Sequence, residues 1–140
     1  MHGGDGNLHA RNPNNSEKWK YVAEAPGGFI SGIAIAADGT IYVGGTGPGN
    51  AGRFYAVTPS GTLKWKFTVG NAEYMSTSPA VGADGTVYTA SSTTIHALKP
   101  ADGSTLWSYP AGVSSAGPAV GADGTVYFGS INKTLYAFGP

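Results

Sequence analysis

The sequence contains no cysteine, and this absence limits its chemistry. Without thiols there can be no disulfide, no cysteine nucleophile, no thiolate zinc site and no lipidated N-terminal cysteine. Charge is also scarce, because only 11% of the 140 residues are charged and the eight acidic side chains balance the eight basic ones. A neutral chain lacks the basic surface that nucleic-acid binding requires, so we expect no nucleic-acid partner.

Long apolar runs are missing as well. No stretch approaches the ~20 apolar residues that a membrane-spanning helix needs, so we expect no membrane insertion. The first six residues, Met-His-Gly-Gly-Asp-Gly, have neither the basic start nor the apolar stretch of a signal peptide. The chain by itself therefore predicts no export, and it leaves the compartment open.

Turn and strand residues are abundant instead. The sequence holds 23 Gly and 9 Pro, and 11% of its residues are aromatic. Glycine and proline favour turns, whereas aromatic and β-branched residues favour strands. No window keeps a helical period, so the pattern predicts an all-β chain of short strands.

Three sequence blocks recur at a common spacing of roughly forty residues. The first block is an Asp-Gly turn, which occurs as Asp38-Gly39, Asp84-Gly85 and Asp123-Gly124. The second is a strand-like tripeptide ending in Ala, which occurs as Leu8-His9-Ala10, Phe54-Tyr55-Ala56, Ile95-His96-Ala97 and Leu135-Tyr136-Ala137. The third carries a tryptophan, at Trp19, Trp65 and Trp107. The shared spacing indicates that all three blocks belong to one repeating unit.

Each unit is predicted to contain four short strands. In the best-formed copy these strands are 78–82, 86–89, 94–98 and 106–109. Asp-Gly between the first two strands predicts a type I′ hairpin, in which both central residues have positive φ. Four-stranded units at this period are typical of a β-propeller, in which a tryptophan at a fixed position would fill the space between neighbouring blades.

The segment from Ala97 to Trp107 resembles the tryptophan-docking repeat of the pyrroloquinoline-quinone (PQQ)-like β-propellers, with Ala first, Gly seventh and Trp eleventh. The block Ser-Pro-Ala-Val-Gly-Ala-Asp-Gly-Thr-Val-Tyr is also typical of that family. The resemblance implies that the Asp-Gly hairpin joins the first two strands of a blade and that the Trp lies on the fourth, outermost strand. Such repeats occur in quinoprotein dehydrogenases, in bacterial outer-membrane assembly scaffolds and in secreted proteins, so the resemblance alone does not select a function. Because the family is largely periplasmic or extracellular, the resemblance favours an exported full-length relative.

Both ends of the sequence fall at the same point of the repeat, because residues 3–13 align with residues 130–140. We therefore expect one propeller fragment over 1–140, with two complete blades, two outer strands at the N-terminus and three inner strands at the C-terminus. The repeat strands are predicted to occupy 7–24, 31–69, 77–110 and 116–138.

Three blades cannot close a ring, since propellers usually carry four to eight blades. The sequence therefore predicts a homodimer in which strand exchange completes a six-bladed ring with C2 symmetry. Head-to-tail addition that does not close would give higher oligomers or fibres instead, and another protein is a further candidate partner.

The sequence offers few candidates for catalysis. A calcium loop needs several oxygen ligands at alternating positions, so we interpret the Asp-Gly dipeptides as turns. His9 and His96 share a repeat position with Tyr55 and Tyr136, which favours packing over catalysis or metal binding. No zinc-protease, serine-nucleophile or phosphate-loop motif occurs in the sequence. We therefore expect no catalytic residue, no metal and no cofactor, and we predict that the protein is not an enzyme.

The segments that break the repeat are the candidates for ligand binding. They are the loop 45–53 within one blade and the connections 24–31 and 71–77 between blades. By propeller geometry these loops lie on one face, where central ligands commonly bind. A site on that face would use Phe29, Arg53, Glu73 and Tyr74.

The sequence leaves three functions open. The first is a structural or protein-interaction scaffold, and the second is a binder of a carbohydrate or another small molecule through the loops of one face. The third, less favoured, is a fragment of a PQQ-dependent dehydrogenase. That class needs a Ca²⁺ held by Glu, Asn and Asp and often a vicinal cysteine pair, whereas this sequence has no cysteine and no matching acidic cluster.

Overall fold

The computed structural model of the chain describes residues 5–24, 27–70, 73–75, 77–112 and 116–140. In these ranges the regular structure consists of thirteen β-strands and one short 3₁₀ turn, arranged as four antiparallel sheets. The expectation of an all-β fold is therefore confirmed. Across the same ranges, no helix has the length and apolar character needed to cross a bilayer.

Each sheet is one blade, and we number the blades 1 to 4 along the chain. Blade 1 contains β1 (Leu8–Arg11) and β2 (Glu17–Tyr21). Blade 2 contains β3 (Phe29–Ile35), β4 (Ile41–Thr46), β5 (Gly52–Val57) and β6 (Leu63–Thr68). Blade 3 contains β7 (Ala80–Val81), β8 (Val87–Ala90), β9 (Thr94–Leu98) and β10 (Thr105–Pro110). Blade 4 contains β11 (Ala119–Val120), β12 (Val126–Gly129) and β13 (Leu135–Phe138).

Every blade is a simple meander, because strands that follow one another in sequence are hydrogen-bonded neighbours in the sheet. By comparison with the complete blades 2 and 3, blade 1 holds a third and a fourth strand, and blade 4 holds a first, second and third strand. The strands that carry the repeated Ala are third strands, and the strands that carry tryptophan are fourth strands.

The Asp-Gly hairpins differ from the predicted type I′ turns. The Gly39 N–H donates to the Ala36 carbonyl at 2.9 Å, and the Ala36 N–H donates to the Thr40 carbonyl at 2.9 Å, which encloses three loop residues rather than two. Gly39 has a φ of 82°, whereas Asp38 does not have a positive φ. This geometry is a type I turn that ends in a glycine bulge. The type I′ prediction was wrong because the Asp38 carboxylate accepts the Thr40 N–H at 2.9 Å, which stabilises the turn without a positive φ at the aspartate.

The loop predicted over 45–53 is also shorter than expected. Gly45 and Arg53 are cross-strand partners in β4 and β5, so the sheet continues through both residues. The connection itself contains only the 3₁₀ turn Pro48–Asn50 and its flanking residues. The neighbouring strand position, Gly44, has no room for a side chain, because a Cβ there would collide with the Met75 carbonyl. These glycines therefore serve close packing within a strand rather than a flexible loop.

The hydrophobic core is divided among the three interfaces between blades. The interface of blades 1 and 2 is built on Leu8, Phe29, Val43, Tyr55 and Val57. The interface of blades 2 and 3 is built on Tyr42, Phe54, Ala56, Trp65, Val69, Met75, Val87 and Leu98. The interface of blades 3 and 4 is built on Ala90, Ile95, Ala111, Val126 and Phe128. Neighbouring blades thus bury their facing surfaces against each other, as expected of repeat architectures.

Candidate functional site

The predicted ligand-binding residues lie at one end of blade 2. Phe29 and Arg53 are both cross-strand partners of Gly45. The backbone of Glu73 approaches the same end, since a Cβ placed on Gly52 would lie 2.6 Å from the Glu73 carbonyl oxygen. The sheet register and the path of the connection after β6 therefore bring three of the four predicted residues to one end of the blade.

Phe29 is buried beneath this end rather than displayed on it. It is 3% exposed, and its ring centroid lies 5.1 Å from that of Tyr55 and 6.1 Å from that of Tyr21. Tyr21 belongs to blade 1, so the three rings pack the interface of blades 1 and 2. Burial raises the pKa of Tyr55 to about 12, which keeps this phenol neutral. A role for Phe29 in ligand binding stays a prediction.

The other three predicted residues differ in exposure. Tyr74 is 45% exposed, and its N–H lies 3.4 Å from the Ser92 hydroxyl. Arg53 donates from Nη1 to the Gly52 carbonyl at 3.4 Å, and its side chain passes close to Gly47. A small-molecule site built from Arg53, Glu73 and Tyr74 likewise stays a prediction.

The aspartate of each repeated hairpin is engaged in its own turn. Asp38, Asp84 and Asp123 each accept the N–H of the threonine two residues later, at 2.9, 3.0 and 3.0 Å. The backbone bond is the main cause that lowers the pKa of Asp38 and Asp123, and the Thr86 hydroxyl is the main cause for Asp84. Within the described ranges, no group of three or more His, Asp or Glu side chains is placed to hold a metal ion.

Two tryptophans attach their blades to the following ones, from blade 1 to blade 2 and from blade 2 to blade 3. Their indole Nε1 groups donate from Trp19 to the Pro59 carbonyl and from Trp65 to the Pro100 carbonyl, each at 2.9 Å. Both indoles lie against a turn glycine, because a Cβ on Gly61 or Gly103 would be 2.6 or 2.7 Å from the indole Cδ2. The fourth strand of one blade is therefore fixed to the turn between the third and fourth strands of the next.

A second repeated feature connects the second, third and fourth strands of a complete blade. In blade 2, Tyr42, Ala56 and Trp65 are cross-strand partners in register, and the two ring centroids are 5.6 Å apart. In blade 3, the same register joins Tyr88, Ala97 and Trp107, with the ring centroids 6.1 Å apart. We call this feature the Tyr-Ala-Trp row. In blade 2 it faces blade 3 and packs in the same core cluster as Val87.

The two incomplete blades hold complementary parts of this row. In blade 4, Tyr127 is in register with Ala137, and β13 is the last strand of the sheet. In blade 1, Ala10 is in register with Trp19, and β1 is the first strand of the sheet. Tyr127 is 39% exposed, whereas its equivalent Tyr42 is fully buried. Blade 4 thus offers a tyrosine without a tryptophan, and blade 1 offers a tryptophan without a tyrosine.

An open apolar cleft marks the position of the missing tyrosine in blade 1. The cleft has a volume of about 340 Å³, and its apolar lining residues are Leu8, Ala10, Trp19, Ile33, Ile35 and Ile41. Ile35 is 67% exposed. Its equivalent in blade 3, Val81, packs against the core cluster that contains Tyr42. The cleft therefore lies where the tyrosine of a complete row would pack against blade 2.

Comparisons with known proteins agree with this architecture. The family described as outer membrane protein assembly factor BamB matches residues 50–140 of the chain. BamB from Moraxella catarrhalis has a similar structure, with a TM-score of 0.71 and 22% identity over 89% of this chain and 38% of that protein. A protein of unknown function from Bacteroides caccae gives a TM-score of 0.64 and 13% identity over 96% of this chain and 54% of that protein. No curated protein sequence matches the chain.

The solved structures and the family match support different conclusions. The chain spans 38% and 54% of the two solved proteins, and at their low identities the likeness shows the fold alone. The family match covers well over half of the chain, and the matched residues 50–140 contain the repeated blocks described above. The predicted PQQ-like resemblance and the propeller fold are therefore confirmed. The chain belongs to the PQQ-like β-propeller family of the outer membrane protein assembly factor BamB.

Proposed function

We propose that the protein is a non-enzymatic interaction scaffold of the BamB kind, and that its first partner is a second copy of itself. The observation that carries this proposal is the division of one Tyr-Ala-Trp row between the two incomplete blades. Blade 4 of one copy and blade 1 of the other would form one joint blade, which we call the hybrid blade. In it, Tyr127 of one copy would pack against Trp19 of the other, so that the hybrid blade holds the row found in blades 2 and 3. Two copies joined at both such blades would form a six-bladed ring.

The exposed face of blade 4 supports a protein partner at this position. Ala119, Tyr127, Leu135 and Ala137 lie on this face, and Leu135 is 70% exposed. Equivalent positions in blade 2, Tyr42, Phe54 and Ala56, are fully buried against blade 3. Burying one large apolar side chain contributes about 1.5–3 kcal/mol, so covering this face would stabilise an assembly substantially. An exposed apolar face of this kind is typical of interaction sites.

The open edges of the two end sheets support the same partner. The outer edge of β13 and the inner edge of β1 carry no neighbouring strand in the described sheets. Unpaired strand edges bind other strands through backbone hydrogen bonds, and a closed barrel or ring removes them. A hybrid blade would pair strands from the two copies, so that an open sheet edge gains a hydrogen-bonded neighbour.

The family also suggests a location. The matched family takes its name from an outer membrane protein assembly factor. We propose by analogy that the protein works in the periplasm or outside the cell, as a surface on which other proteins are held. Fractionation of cells that produce the protein would test this location.

The proposed self-association is tested by measuring mass in solution. Light scattering coupled to size exclusion, run at several concentrations, should give a mass that rises to twice 14.2 kDa. A mass that stays at 14.2 kDa at every concentration would contradict the dimer. A mass that continues to grow with concentration would indicate head-to-tail addition without ring closure.

A further inference from the structure

A hybrid blade has one place for a third strand and two strands that could fill it. In the complete blades one Ala strand lies between the tyrosine and the tryptophan strands. Both β1, through Ala10, and β13, through Ala137, carry that Ala in register. If two copies join, one of these strands must therefore leave.

Toward blade 2, the two strands present the same side chains. Leu8 and Ala10 of β1 face blade 2, and Leu8 is 1% exposed within the core of that interface. Leu135 and Ala137 occupy the same positions in β13, where Leu135 is 70% exposed. In a hybrid blade, β13 could therefore take the place of β1 against blade 2 of the partner with no loss of apolar contact.

Toward blade 3, the two strands are different. Tyr136 and Phe138 of β13 pack against Tyr109, with ring centroids 5.6 and 5.3 Å apart. Phe138 also lies 5.0 Å from Trp107, measured between ring centroids. These contacts already exist within the single chain and would persist if β13 stays in place.

The equivalent positions of β1 carry polar side chains. His9 lies 3.1 Å from carboxylate oxygens of both Asp5 and Glu17, and Arg11 donates to the Asn15 carbonyl at 3.0 Å. Placing His9 and Arg11 of β1 against the rings of blade 3 would remove these polar side chains from water without supplying new partners there. β1 therefore fits one side of a hybrid blade, whereas β13 fits both.

We infer that β13 of one copy displaces β1 of the other from β2, so that β1 is a placeholder that covers blade 2 only in the single chain. This inference rests on the proposed self-association and adds to it the identity of the exchanged strand. In the joined state, β2 pairs with the partner's β13, and Ala137 lies between Tyr127 and the partner's Trp19. The partner thus supplies the contacts that Leu8 and Ala10 make in the single chain.

A reversible lock between β1 and β2 tests the exchange directly. His9 and Lys20 are cross-strand partners, and the natural sequence has no cysteine that could interfere. Directly opposed residues of antiparallel strands have Cα separations of roughly 4.5–5.5 Å, which a disulfide can bridge. In the double variant His9→Cys and Lys20→Cys, the oxidised chain should stay monomeric because β1 cannot leave. Reduction should restore the dimer, and each single variant is the matched control.

The possible outcomes are distinguishable. A dimer in both the oxidised and the reduced state would overturn the exchange while leaving self-association intact. A monomer in every state, together with a monomeric unmodified chain, would overturn the proposed self-association and with it the exchange.

A second pair of variants covers the case in which the cysteine substitutions themselves prevent association. Leu135→Asp should weaken the dimer at least about tenfold, whereas Leu8→Asp should leave it intact or strengthen it. The reverse order would show that β1 is the strand that remains.

Discussion

The indole Nε1 of Trp65 in blade 2 donates a hydrogen bond to the Pro100 carbonyl oxygen of blade 3, at 2.9 Å. Trp65 is 7% exposed, so this bond is largely shielded from water. It joins the outermost strand of one blade to a turn 35 residues later in the chain. The interface between the two complete blades therefore has a specific polar contact in addition to its apolar core.

Replacing Trp65 by Phe should lower the free energy of unfolding, partly because the ring is smaller and partly because the shielded Pro100 carbonyl loses its donor. The lost hydrogen bond should account for about 1–3 kcal/mol of this decrease. Trp107→Phe is the matched control. Trp107 occupies the same repeat position but, within the described chain, makes no such bond to a following blade. Urea unfolding of the two variants provides the comparison, and equal losses would show that the Trp65 bond contributes nothing.

Gly103→Ala should be markedly more destabilising than Gly85→Ala. Both glycines have a positive φ, of 74° and 86°, and an alanine in this region costs about 1–2 kcal/mol. At Gly103 the new Cβ would also collide with the Trp65 indole, lying 2.7 Å from its Cδ2, which adds about 1–3 kcal/mol. At Gly85 the nearest heavy atom lies at an ordinary 3.5 Å. Similar midpoints in thermal unfolding would mean that the indole moves aside freely.

The protein should lose stability in mild acid through His96. This side chain is 8% exposed and packs edge-on against Phe67, with ring centroids 5.1 Å apart. Burial lowers the pKa of His96 below its usual 6.5, and the charge of Glu73 opposes this only in part. Because the unfolded chain then binds the proton more readily, His96 contributes no penalty above about pH 6.5 and an increasing one as the pH falls.

His96→Tyr is the variant that checks this expectation, since Tyr stands at the same position in blades 2 and 4. Urea midpoints measured at neutral pH and near pH 5 should fall less in this variant than in the parent chain. An identical fall in both proteins would assign the acid sensitivity to other groups.

Tyr127→Arg should weaken self-association at least about tenfold, because it places a charge where the Tyr-Ala-Trp row would close. Tyr127 is 39% exposed in the single chain, so its unfolding free energy should change by no more than about 0.5 kcal/mol. Tyr74→Arg is the control, since Tyr74 is similarly exposed, at 45%, but belongs to the connection between blades 2 and 3. Sedimentation equilibrium on the three proteins measures the effect, and equal weakening by both substitutions would contradict the proposed interface.

The repeat and most strands were predictable from local signals. The third strand of blade 3 was predicted over 94–98 and is observed as Thr94–Leu98, because alternating apolar residues end at a Pro-Ala-Asp-Gly turn. The position of the tryptophans on fourth strands was implied by the family resemblance and is also observed. These features depend on residues that are close together in sequence.

Other features depend on contacts that sequence patterns do not contain. The pairing of Trp65 with Gly103 joins two blades, and neither residue alone indicates its partner. Phe29 was predicted as a ligand-binding residue because it lies within the irregular connection 24–31, and the sequence pattern does not show that its ring packs beside Tyr21 of the preceding blade. The division of a Tyr-Ala-Trp row between blades 1 and 4 depends on the strand register, which sequence patterns do not give.

The likeness of β1 and β13 also bears on how such a chain can be lengthened. Because Leu8 to Ala10 and Leu135 to Ala137 occupy the same position of the repeat, joining Ala137 of one copy to Arg11 of the next would preserve the spacing to the following tryptophan. A tandem gene built at this junction would encode an uninterrupted series of blades with no surplus strand. If such blades close into a ring, the same equivalence would allow the coding sequence to be circularly permuted at any blade boundary without changing the order of neighbouring blades.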